Sequence, residues 1–151
     1  MQVTYADSSN IPKLAHLFDQ YRVFYKQKSD IERARVFLSS RFEKKDSVIL
    51  IAHEESDILG FTQLYPSFSS VGMERIWVLN DLFVSHNFRR QEVAKKLMEA
   101  AKKHAEKSGA IRIDLATQVS NSIAQALYET MGYTKNESFY HYSLNISNHA
   151  D

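Results

Sequence analysis

The run Glu74–Val84 constrains the fold of this chain more than any other stretch, because it is largely apolar on both alternating faces. One face carries Ile76, Val78, Asn80, Leu82 and Val84, and the other carries Trp77, Leu79, Asp81 and Phe83. Such two-sided hydrophobicity is typical of a central strand that is covered on both sides. An amphipathic helical run (Arg90–Ser108) and another strand-like run (Ile111–Ala116) follow it. The three runs together indicate a right-handed parallel crossover.

Hydrophobic spacing elsewhere predicts further strands and helices around this unit. Strand patterns occupy Gln2–Tyr5, Ser47–His53, Ile58–Tyr65 and Phe139–Leu144, with another possible at Tyr133–Lys135 and a polar loop at Pro66–Gly72. Helical patterns follow candidate caps at Asp7 or Ser8 and at Asp30, and a last one occupies Asn121–Met131. We therefore expect an α/β fold, in which a mixed, mostly antiparallel central sheet of about six to seven strands is flanked by about four helices.

Composition excludes several classes of protein. The 151 residues lead us to expect one domain over 1–151, with a loose tail at 146–151. The chain has no cysteine, which excludes disulfides, zinc–thiolate sites and cysteine nucleophiles, and no histidine spacing suggests a metal. The net charge of +1 favours neither nucleic acid nor a membrane as a partner. Neither a signal peptide nor a membrane-spanning run is apparent, so we expect a cytoplasmic protein.

The junction after Val84 is a candidate anion site. A buried strand ends there, and a long helix begins near Arg89 and Arg90. The unpaired N–H groups and the dipole of a helix start favour an anion, and two arginines add positive charge. Taken alone, the same arginines also fit ordinary solvated surface charge.

The sequence from Leu82 to Leu97 resembles the coenzyme A loop of the GNAT (Gcn5-related N-acetyltransferase) superfamily, in which Arg/Gln-x-x-Gly-x-Gly/Ala precedes a helix. Arg89, Ala94 and Leu97 match that pattern, and Glu92 stands where the first glycine is usual. A carboxylate pointing at a pyrophosphate would repel it. We expect the Glu92 side chain to point outward, where an acid suits the first turn of a helix.

A second stretch, Asn121–Tyr133, resembles the family motif Asn-x-x-Ala-x-x-Leu-Tyr-x-x-x-Gly-Phe/Tyr. The resemblance implies acetyl-CoA as co-substrate, with Tyr128 as the acid that protonates the departing thiolate and Asn121 as a contact of the pantetheine arm. A phenol, with a reference pKa of about 10, is protonated at neutral pH and suits that role. The structural alternatives are a packed tyrosine and an N-cap. The implied coenzyme contacts are Leu82, Phe83, Val84, Arg89, Arg90, Gln91, Glu92, Val93, Ala94, Lys95, Asn121, Ala124 and Tyr128.

Asp81 is the candidate general base, because it interrupts an apolar face where an acid is costly unless it is paired or useful. The stretch Asn80–Val84 resembles that of the spermidine/spermine and fungal histone/polyamine acetyltransferases. The resemblance makes the backbone of Leu82–Val84 the docking edge for pantetheine, where an N–H polarises the thioester carbonyl. The alternative is a structural carboxylate held by local hydrogen bonds or by an arginine.

The resemblance implies an acceptor site walled by the first two helices and the last strands. The residues there are Tyr21, Arg22, Phe24, Tyr25 and Tyr140. Aromatic faces and a carboxylate suit a cationic amine, whereas Arg22, Lys26 and Lys28 argue against a strongly acidic polyamine groove. We expect acetyl transfer from acetyl-CoA to a primary amine, either a small molecule or a peptide lysine, by direct attack in a ternary complex. A non-catalytic acyl-CoA-binding regulatory protein is the alternative, and analogy with relatives suggests a homodimer.

Overall fold

A computed structural model describes residues 1–88 and 91–147 of the chain, with only the helical backbone at Gln91. Five strands form one sheet in the order β1-β2-β3-β4-β5. The strands are β1 (Gln2–Tyr5), β2 (Val48–Glu54), β3 (Asp57–Ser69), β4 (Glu74–Val84) and β5 (Ile113–Leu115). The helices are α1 (Ile11–Phe24), α2 (Ile31–Lys44), α3 (Gln91–Lys107) and α4 (Ser122–Thr130). Neighbouring strands are antiparallel except β4 and β5, which are parallel as the crossover predicts.

Local sequence signals account for where the helices begin. Asp7 caps a short 3-10 turn at Ser8–Asn10, and Pro12 lies in the first turn of α1. The side chain of Asp30 accepts a hydrogen bond at the start of α2, and that of Asn121 does the same for α4. These side chains satisfy N–H groups that a helix start leaves unpaired, so the predicted caps are confirmed. Among the described residues, no helix combines the length and apolar character that crossing a bilayer requires.

The sheet separates two hydrophobic cores. Helix α3 packs on one face through Val93, Leu97, Met98, Ala101 and Ala105, which meet Leu50, Ala52, Leu64, Trp77 and Leu79. Helices α1 and α2 cover the other face through Leu14, Leu17, Phe18, Ala34 and Leu38, which meet Ile49, Ile51, Phe61 and Phe83. Burial of these apolar side chains on both faces confirms that β4 is a covered central strand.

A β-bulge at Asn80 reverses the facing of β4, and the sequence-based assignment of its two faces was wrong for this reason. Gln63 lies opposite Asp81, but the next residue of β3, Leu64, lies opposite Leu79, so Asn80 is one extra residue on β4. Before the bulge, Leu79 packs in the core under α3; after it, Phe83 packs in the core under α1 and α2. A single inserted residue turns every following side chain to the opposite face.

Strand β3 is longer than the sequence predicts. It continues through Pro66 to Ser69, where a polar loop was expected, because it stays paired with β4 as far as Ser69 and Glu74. Its pairing with β2 ends at Leu64. Pro66 therefore lies on a locally exposed edge, where its missing N–H costs no ladder hydrogen bond.

The predicted strands at Phe139–Leu144 and Tyr133–Lys135 were wrong, as was the expected count of six to seven strands. Within the described residues, no helix or strand follows α4. The side chains of Phe139, Tyr140, Tyr142, Leu144 and Ile146 are 70%, 90%, 91%, 84% and 89% exposed. An alternating apolar pattern specifies a strand only where a neighbouring strand supplies hydrogen bonds, and the described sheet ends at β5.

Candidate active site

The two parallel strands at the centre of the site separate after a short pairing. Strand β5 pairs with β4 only over Trp77–Leu79. Beyond the bulge, the described residues Asp81–Val84 pair with β3 alone. Their other edge carries backbone N–H and C=O groups that an extended ligand can bind.

Strand β3 approaches this end of β4 unusually closely. Gly60 lies opposite Val84, and a Cβ atom at Gly60 would come within 2.8 Å of the carbonyl oxygen of Phe83. It would also lie 3.3 Å from the side chain of Leu97. The absence of a side chain at Gly60 thus allows both the end of β4 and Leu97 of α3 to lie close to β3.

Asp81 is a buried carboxylate, only 4% exposed, and hydrogen-bond donors surround it. Gln63 Nε2 donates to its Oδ2 at 2.8 Å, and Asn80 Nδ2 donates to its Oδ1 at 3.1 Å. The hydroxyl of Tyr21 provides a third side-chain hydrogen bond. The bulge at Asn80 is what directs the carboxylate to this face, below α1.

Burial raises the pKa of Asp81 above its ordinary value, and the hydrogen bonds from Gln63, Tyr21 and Asn80 oppose that rise. A carboxyl group whose pKa is raised towards neutrality is a better proton acceptor than an ordinary surface aspartate, once it is ionised. The predicted base candidate therefore has an environment that suits a base. Within the described chain, no arginine forms an ion pair with it.

An aromatic wall stands beside this carboxylate. The Tyr21 ring lies 5.6 Å from that of Phe83 and 5.2 Å from that of Tyr25, between centroids. The Phe24 ring lies 6.0 Å from that of Phe83. The outer rings, Phe24 and Tyr25, are 51% and 42% exposed, so the wall runs from solvent to the buried acid. Tyr21 contributes more than the predicted wall, because it also binds Asp81; burial and then the Asp81 charge raise its pKa.

Tyr128 approaches the same place from α4. Burial raises its pKa, and nearby Tyr25 raises it further. Tyr25 also acts on the pKa of Tyr21, so this one residue, the C-cap of α1, neighbours both the Asp81 group and Tyr128. With its pKa raised, the phenol of Tyr128 stays protonated at neutral pH and is available to donate.

The start of α4 supports the position of Tyr128. Asn121 Oδ1 accepts a hydrogen bond from the backbone N of Ala124 at 3.1 Å. The side-chain oxygen of Asn121 is therefore engaged as an N-cap, and its Nδ2 group remains available to a ligand. Leu127 is buried at 6% exposure, and Tyr128 and Met131 pack against the core under α3.

Packing against the sheet determines which described residues of the predicted phosphate loop are buried and which are exposed. Val93 is buried beneath the sheet, Ala94 is partly buried against the same core, and Lys95 is exposed. Glu92 is exposed and lines a hollow of about 310 Å³ together with Met1, Glu54, Leu59, Phe88, Val93 and Lys96. Met1, Glu54 and Leu59 belong to the β1–β3 side of the sheet, so the hollow that Glu92 lines reaches that side.

Three predicted coenzyme contacts cannot be compared with the structure. Arg89 and Arg90 lie outside the described residues, as does the side chain of Gln91. What the structure gives is their setting: a 3-10 turn at His86–Phe88 leads out of β4, and α3 is helical from Gln91. The start of a 17-residue helix therefore follows the open end of β4 within a few residues, as the sequence indicates.

Two predicted acceptor residues are not brought to the aromatic wall. Arg22 Nη1 donates to the carbonyl oxygen of Lys28 at 3.1 Å and lies 4.0 Å from Asp19 Oδ1. The guanidinium group of Arg22 is therefore bound to the loop between α1 and α2. Tyr140 is 90% exposed in the segment that follows α4. The buried Asp19 carboxylate fixes the same loop, since it accepts from Ser29 Oγ and from the backbone N of Asp30.

Sequence reasoning missed the partners of Asp81. Gln63 is fully buried, and its amide is also hydrogen-bonded to the side chain of Tyr65. Burial, and next the Asp81 charge, raise the pKa of Tyr65 to about 12. A signal for Gln63 was present, because it is a polar side chain in the strongly apolar strand pattern around Phe61 and Leu64.

The arrangement as a whole can carry out acyl transfer to an amine. A buried carboxylate lies at the open end of a strand, a protonated phenol lies near Tyr25 of the aromatic wall, and a helix start suited to an anion follows that strand. The chemistry needs an acceptor for the amine proton and a donor for the leaving group, and a carboxylate and a phenol can supply these.

Comparison with known proteins agrees with this geometry. The chain matches the model of the Acetyltransferase (GNAT) family over residues 12–133. An uncharacterized N-acetyltransferase of Bacillus subtilis (strain 168), YhfO, is 47% identical over 146 residues, which are 97% of this chain and 98% of that protein. A crystal structure of a probable acetyltransferase is 42% identical, with a TM-score of 0.93 and coverage of 99% of this chain and 100% of that one.

A more distant solved structure shares the fold alone. It is an aminoglycoside acetyltransferase from an uncultured soil metagenomic sample, crystallised in complex with sisomicin. The two chains are 17% identical with a TM-score of 0.82, over 97% of this chain and 96% of the other. The arrangement of β4, β5 and α3 is thus common to proteins whose sequences have largely diverged.

Proposed function

The chain belongs to the acetyltransferase (GNAT) family, and we propose that it transfers the acetyl group of acetyl-CoA to a primary amine by direct attack in a ternary complex. Members of this family generally use acetyl-CoA. The observation that carries the proposal is the buried Asp81 carboxylate beside the open end of β4, with an aromatic wall leading to it from solvent. Residues 1–151 would act as one N-acetyltransferase domain.

The coenzyme would lie along the open end of β4. Backbone groups of Leu82–Val84 would bind the pantetheine arm, with one N–H polarising the thioester carbonyl. The pyrophosphate would meet the start of α3, where Arg89, Arg90, Gln91 and the turn through Lys95 follow the strand. The amide of Asn121 and the backbone at Ala124 would contact the arm from α4.

The reaction needs two proton transfers. The neutral amine nitrogen attacks the thioester carbonyl carbon, and Asp81 accepts the amine proton, directly or through one water. The C–S bond then breaks, and its electron pair stays on sulfur. Tyr128 donates its proton to that thiolate, so the products are an N-acetylamine and free coenzyme A.

The role of Tyr128 follows from the relative acidity of phenol and thiol. A thiol of the cysteine type has a reference pKa of about 8.5 and a phenol one of about 10. Burial raises the pKa of Tyr128 further. Complete transfer to a stable thiolate is therefore uphill, and the hydrogen bond from Tyr128 acts while negative charge develops on sulfur in the transition state.

The acceptor would be a cationic amine, such as a polyamine-like small molecule or a lysine side chain. The exposed faces of Phe24 and Tyr25 can stack on an ammonium group before it loses its first proton to solvent and reaches Asp81 as the neutral amine. Arg22 is engaged by Lys28 and Asp19, so its charge is held in the loop between α1 and α2. The objection that Arg22 would repel a cationic substrate is correspondingly weaker.

A turnover assay with acetyl-CoA tests the proposal. The acceptor panel would contain a polyamine, a lysine peptide and sisomicin. We expect release of coenzyme A with at least one amine, and a fall in kcat of roughly 10²–10⁴ in Asp81→Asn and in Tyr128→Phe. The dissociation constant of acetyl-CoA, measured by calorimetry, should change less than about threefold in either variant, since neither group acts mainly in binding.

The same measurements separate the alternatives. A regulatory acyl-CoA-binding protein would bind acetyl-CoA and acetylate none of the amines. A protein that binds no acetyl-CoA would contradict both readings. Unchanged turnover in Asp81→Asn and Tyr128→Phe would contradict the assignment of acid and base while leaving the enzymatic activity standing.

We also propose a homodimer in which the apolar segment after α4 lies against a second copy of the chain. Phe139, Tyr140, Tyr142, Leu144 and Ile146 are each at least 70% exposed. A buried aromatic side chain removes roughly 150–250 Å² from water. Burial of this segment would therefore supply most of the roughly 800 Å² per partner that a stable interface needs.

Sedimentation at micromolar concentration tests the homodimer. The wild-type chain should sediment as a dimer, and Tyr140→Ser with Tyr142→Ser should shift it to monomer. Phe68→Ser is the matched control, because Phe68 is 68% exposed on the hairpin between β3 and β4; this variant should remain dimeric. A monomeric wild-type chain, or a dimer unaffected by the double substitution, would contradict the proposal.

A further inference from the structure

Gln63 occupies an unusual position for a carboxamide. It is fully buried in β3, on the sheet face covered by α1 and α2, in a strand whose neighbouring core residues are Phe61 and Leu64. A buried amide is costly unless its groups are hydrogen-bonded. It lies directly across the ladder from Asp81, at the residue next to the bulge.

The hydrogen bonds of Gln63 run from the protein surface towards Asp81. Ser47 Oγ, in a partly buried position before β2, donates to Gln63 Oε1 at 2.9 Å. Gln63 Nε2 donates to Asp81 Oδ2 at 2.8 Å. The side chain of Tyr65 forms a further hydrogen bond with the Gln63 amide. Both ends of the carboxamide are thereby engaged.

This arrangement fixes which end of the amide faces the acid. If the carboxamide were turned by 180°, its oxygen would face the Asp81 carboxylate, and the two acceptors would repel one another. The carboxylate of Asp81, which can only accept, therefore selects the orientation in which Gln63 donates to it. In that orientation the hydroxyl of Ser47 donates to Gln63 Oε1 and holds the amide in place.

We propose that Gln63, held in place by Ser47, is a positioning residue for acyl transfer: it holds the Asp81 carboxylate charged and in a single orientation towards the aromatic wall. This inference rests on the base role of Asp81 proposed above. Asp81 loses nearly all of its hydration on folding, and among the hydrogen bonds that counteract the burial, the one from Gln63 acts most strongly on its pKa. Without that donor, Asp81 holds its proton to higher pH and is less often available as a base.

The pH dependence of kcat/KM in Gln63→Met tests the inference. Methionine has a similar volume and no N–H donor, so packing is preserved while the hydrogen bond is lost. The acidic limb of the profile should move upward by about one pH unit or more. Above that limb, kcat/KM should return to within a few-fold of the wild-type value, because Asp81 is again ionised. An equal loss at every pH would indicate a merely structural role and overturn the inference.

Ser47→Ala provides a second and milder variant. It removes the hydrogen bond from Ser47 to Gln63 but leaves Gln63 itself, so the limb should move in the same direction by a smaller amount. In the Gln63→Met background, Ser47→Ala should add nothing, since the two residues act as one chain. Ser108→Ala is the control: Ser108 accepts a hydrogen bond from Trp77 Nε1 at 2.8 Å, on the α3 face, and its removal should leave the limb unmoved.

A carboxyl titration by ¹³C NMR, without substrates, separates this inference from the proposed function. The pKa of Asp81 should rise in Gln63→Met and less in Ser47→Ala. A rise without any movement of the kinetic limb would support the role of Gln63 and contradict the base role of Asp81. An unchanged Asp81 pKa in both variants would overturn the inference, whatever the activity.

Discussion

The two halves of β4 share one strand and behave differently. Glu74–Leu79 is paired with β3, and Trp77–Leu79 is also paired with β5; Trp77 and Leu79 fill the core under α3. Asp81–Val84 is paired with β3 alone among the described residues and carries a buried carboxylate on the other face. The single extra residue between the halves is Asn80.

The difference shows how one strand can provide both stability and chemistry. In the first half, Trp77–Leu79 is hydrogen-bonded by neighbouring strands on both backbone edges, and its buried side chains add packing energy. In the second half, one edge is left for a ligand, and the bulge turns an acid towards the aromatic wall. β-Bulges commonly redirect a side chain beside an active site in this manner.

Insertion of one alanine between Gln63 and Leu64 should have the largest effect. It gives Asn80 a partner on β3 and removes the bulge, so that, with Leu79 kept in the core under α3, Asp81 turns towards that same core and Leu82 turns towards the wall. We expect the free energy of unfolding to fall by more than about 5 kcal/mol, comparable with the whole stability of many domains, because an unpaired charge is buried and several core positions exchange. Chemical denaturation measures this loss.

The matched control is Asn80→Ser, which keeps the extra residue and removes the amide. It should retain the fold, and the free energy of unfolding should fall by no more than about 1 kcal/mol, the usual net value of one hydrogen bond. If the insertion and the substitution had equal effects, the bulge would not determine the difference between the two halves.

Leu79→Ala probes the first half of the strand. Leu79 is 4% exposed in the core under α3. We expect a loss of roughly 2–5 kcal/mol in the free energy of unfolding, from lost apolar burial and the cavity left behind. The kcat of the folded fraction should change little, because this half does not contact the reacting groups. A loss of kcat larger than about tenfold, with the fold intact, would contradict the claim that the first half of β4 serves stability and the second half serves chemistry.

Asp81→Asn should separate activity from stability in the second half. Burial raises the folded-state pKa of Asp81 above its reference value of about 4, so ionisation of this group destabilises the folded chain as pH rises through that raised pKa. The variant should therefore gain in melting temperature relative to the wild type as the pH rises above about 4. If it melted lower than the wild type at the higher pH, Asp81 would be a structural carboxylate.

Glu92→Gly should have the smallest effect on coenzyme binding. Glu92 is exposed and lines a hollow that it shares with Met1 and Lys96. We expect the dissociation constant of acetyl-CoA to change less than about threefold, since an exposed charge directed into solvent interacts weakly with a distant phosphate. Calorimetric titration measures it, and a tightening of tenfold or more would place the carboxylate beside the pyrophosphate.

The sequence predicted much of this fold because its signals are local. The bounds of β4 follow from the apolar run, and Asp30 and Asn121 act as the predicted caps. Asp81 was identified because it interrupts an apolar face of the strand, and Tyr128 was identified from the family resemblance of Asn121–Tyr133. Asp81 is buried and Tyr128 is partly buried, and burial raises the pKa of each.

Features that depend on pairing between distant strands were not predictable. The bulge at Asn80 is a mismatch of register between β3 and β4, and no composition of β4 alone reveals it. Strand formation at Phe139–Leu144 was inferred from alternation, but alternation does not provide a neighbouring strand. The hydrogen bond from Gln63 to Asp81 joins residues on separate strands, and only the register brings them together.

An NMR titration of ¹⁵N-labelled protein with acetyl-CoA tests the central claim most directly. If the coenzyme binds along the second half of β4, the amide signals of Leu82–Val84 and of the first turn of α3 should shift with saturation. The amides of Trp77–Leu79, which lie between β3 and β5, should move little. Shifts concentrated at Trp77–Leu79, or no saturable shifts, would contradict the account.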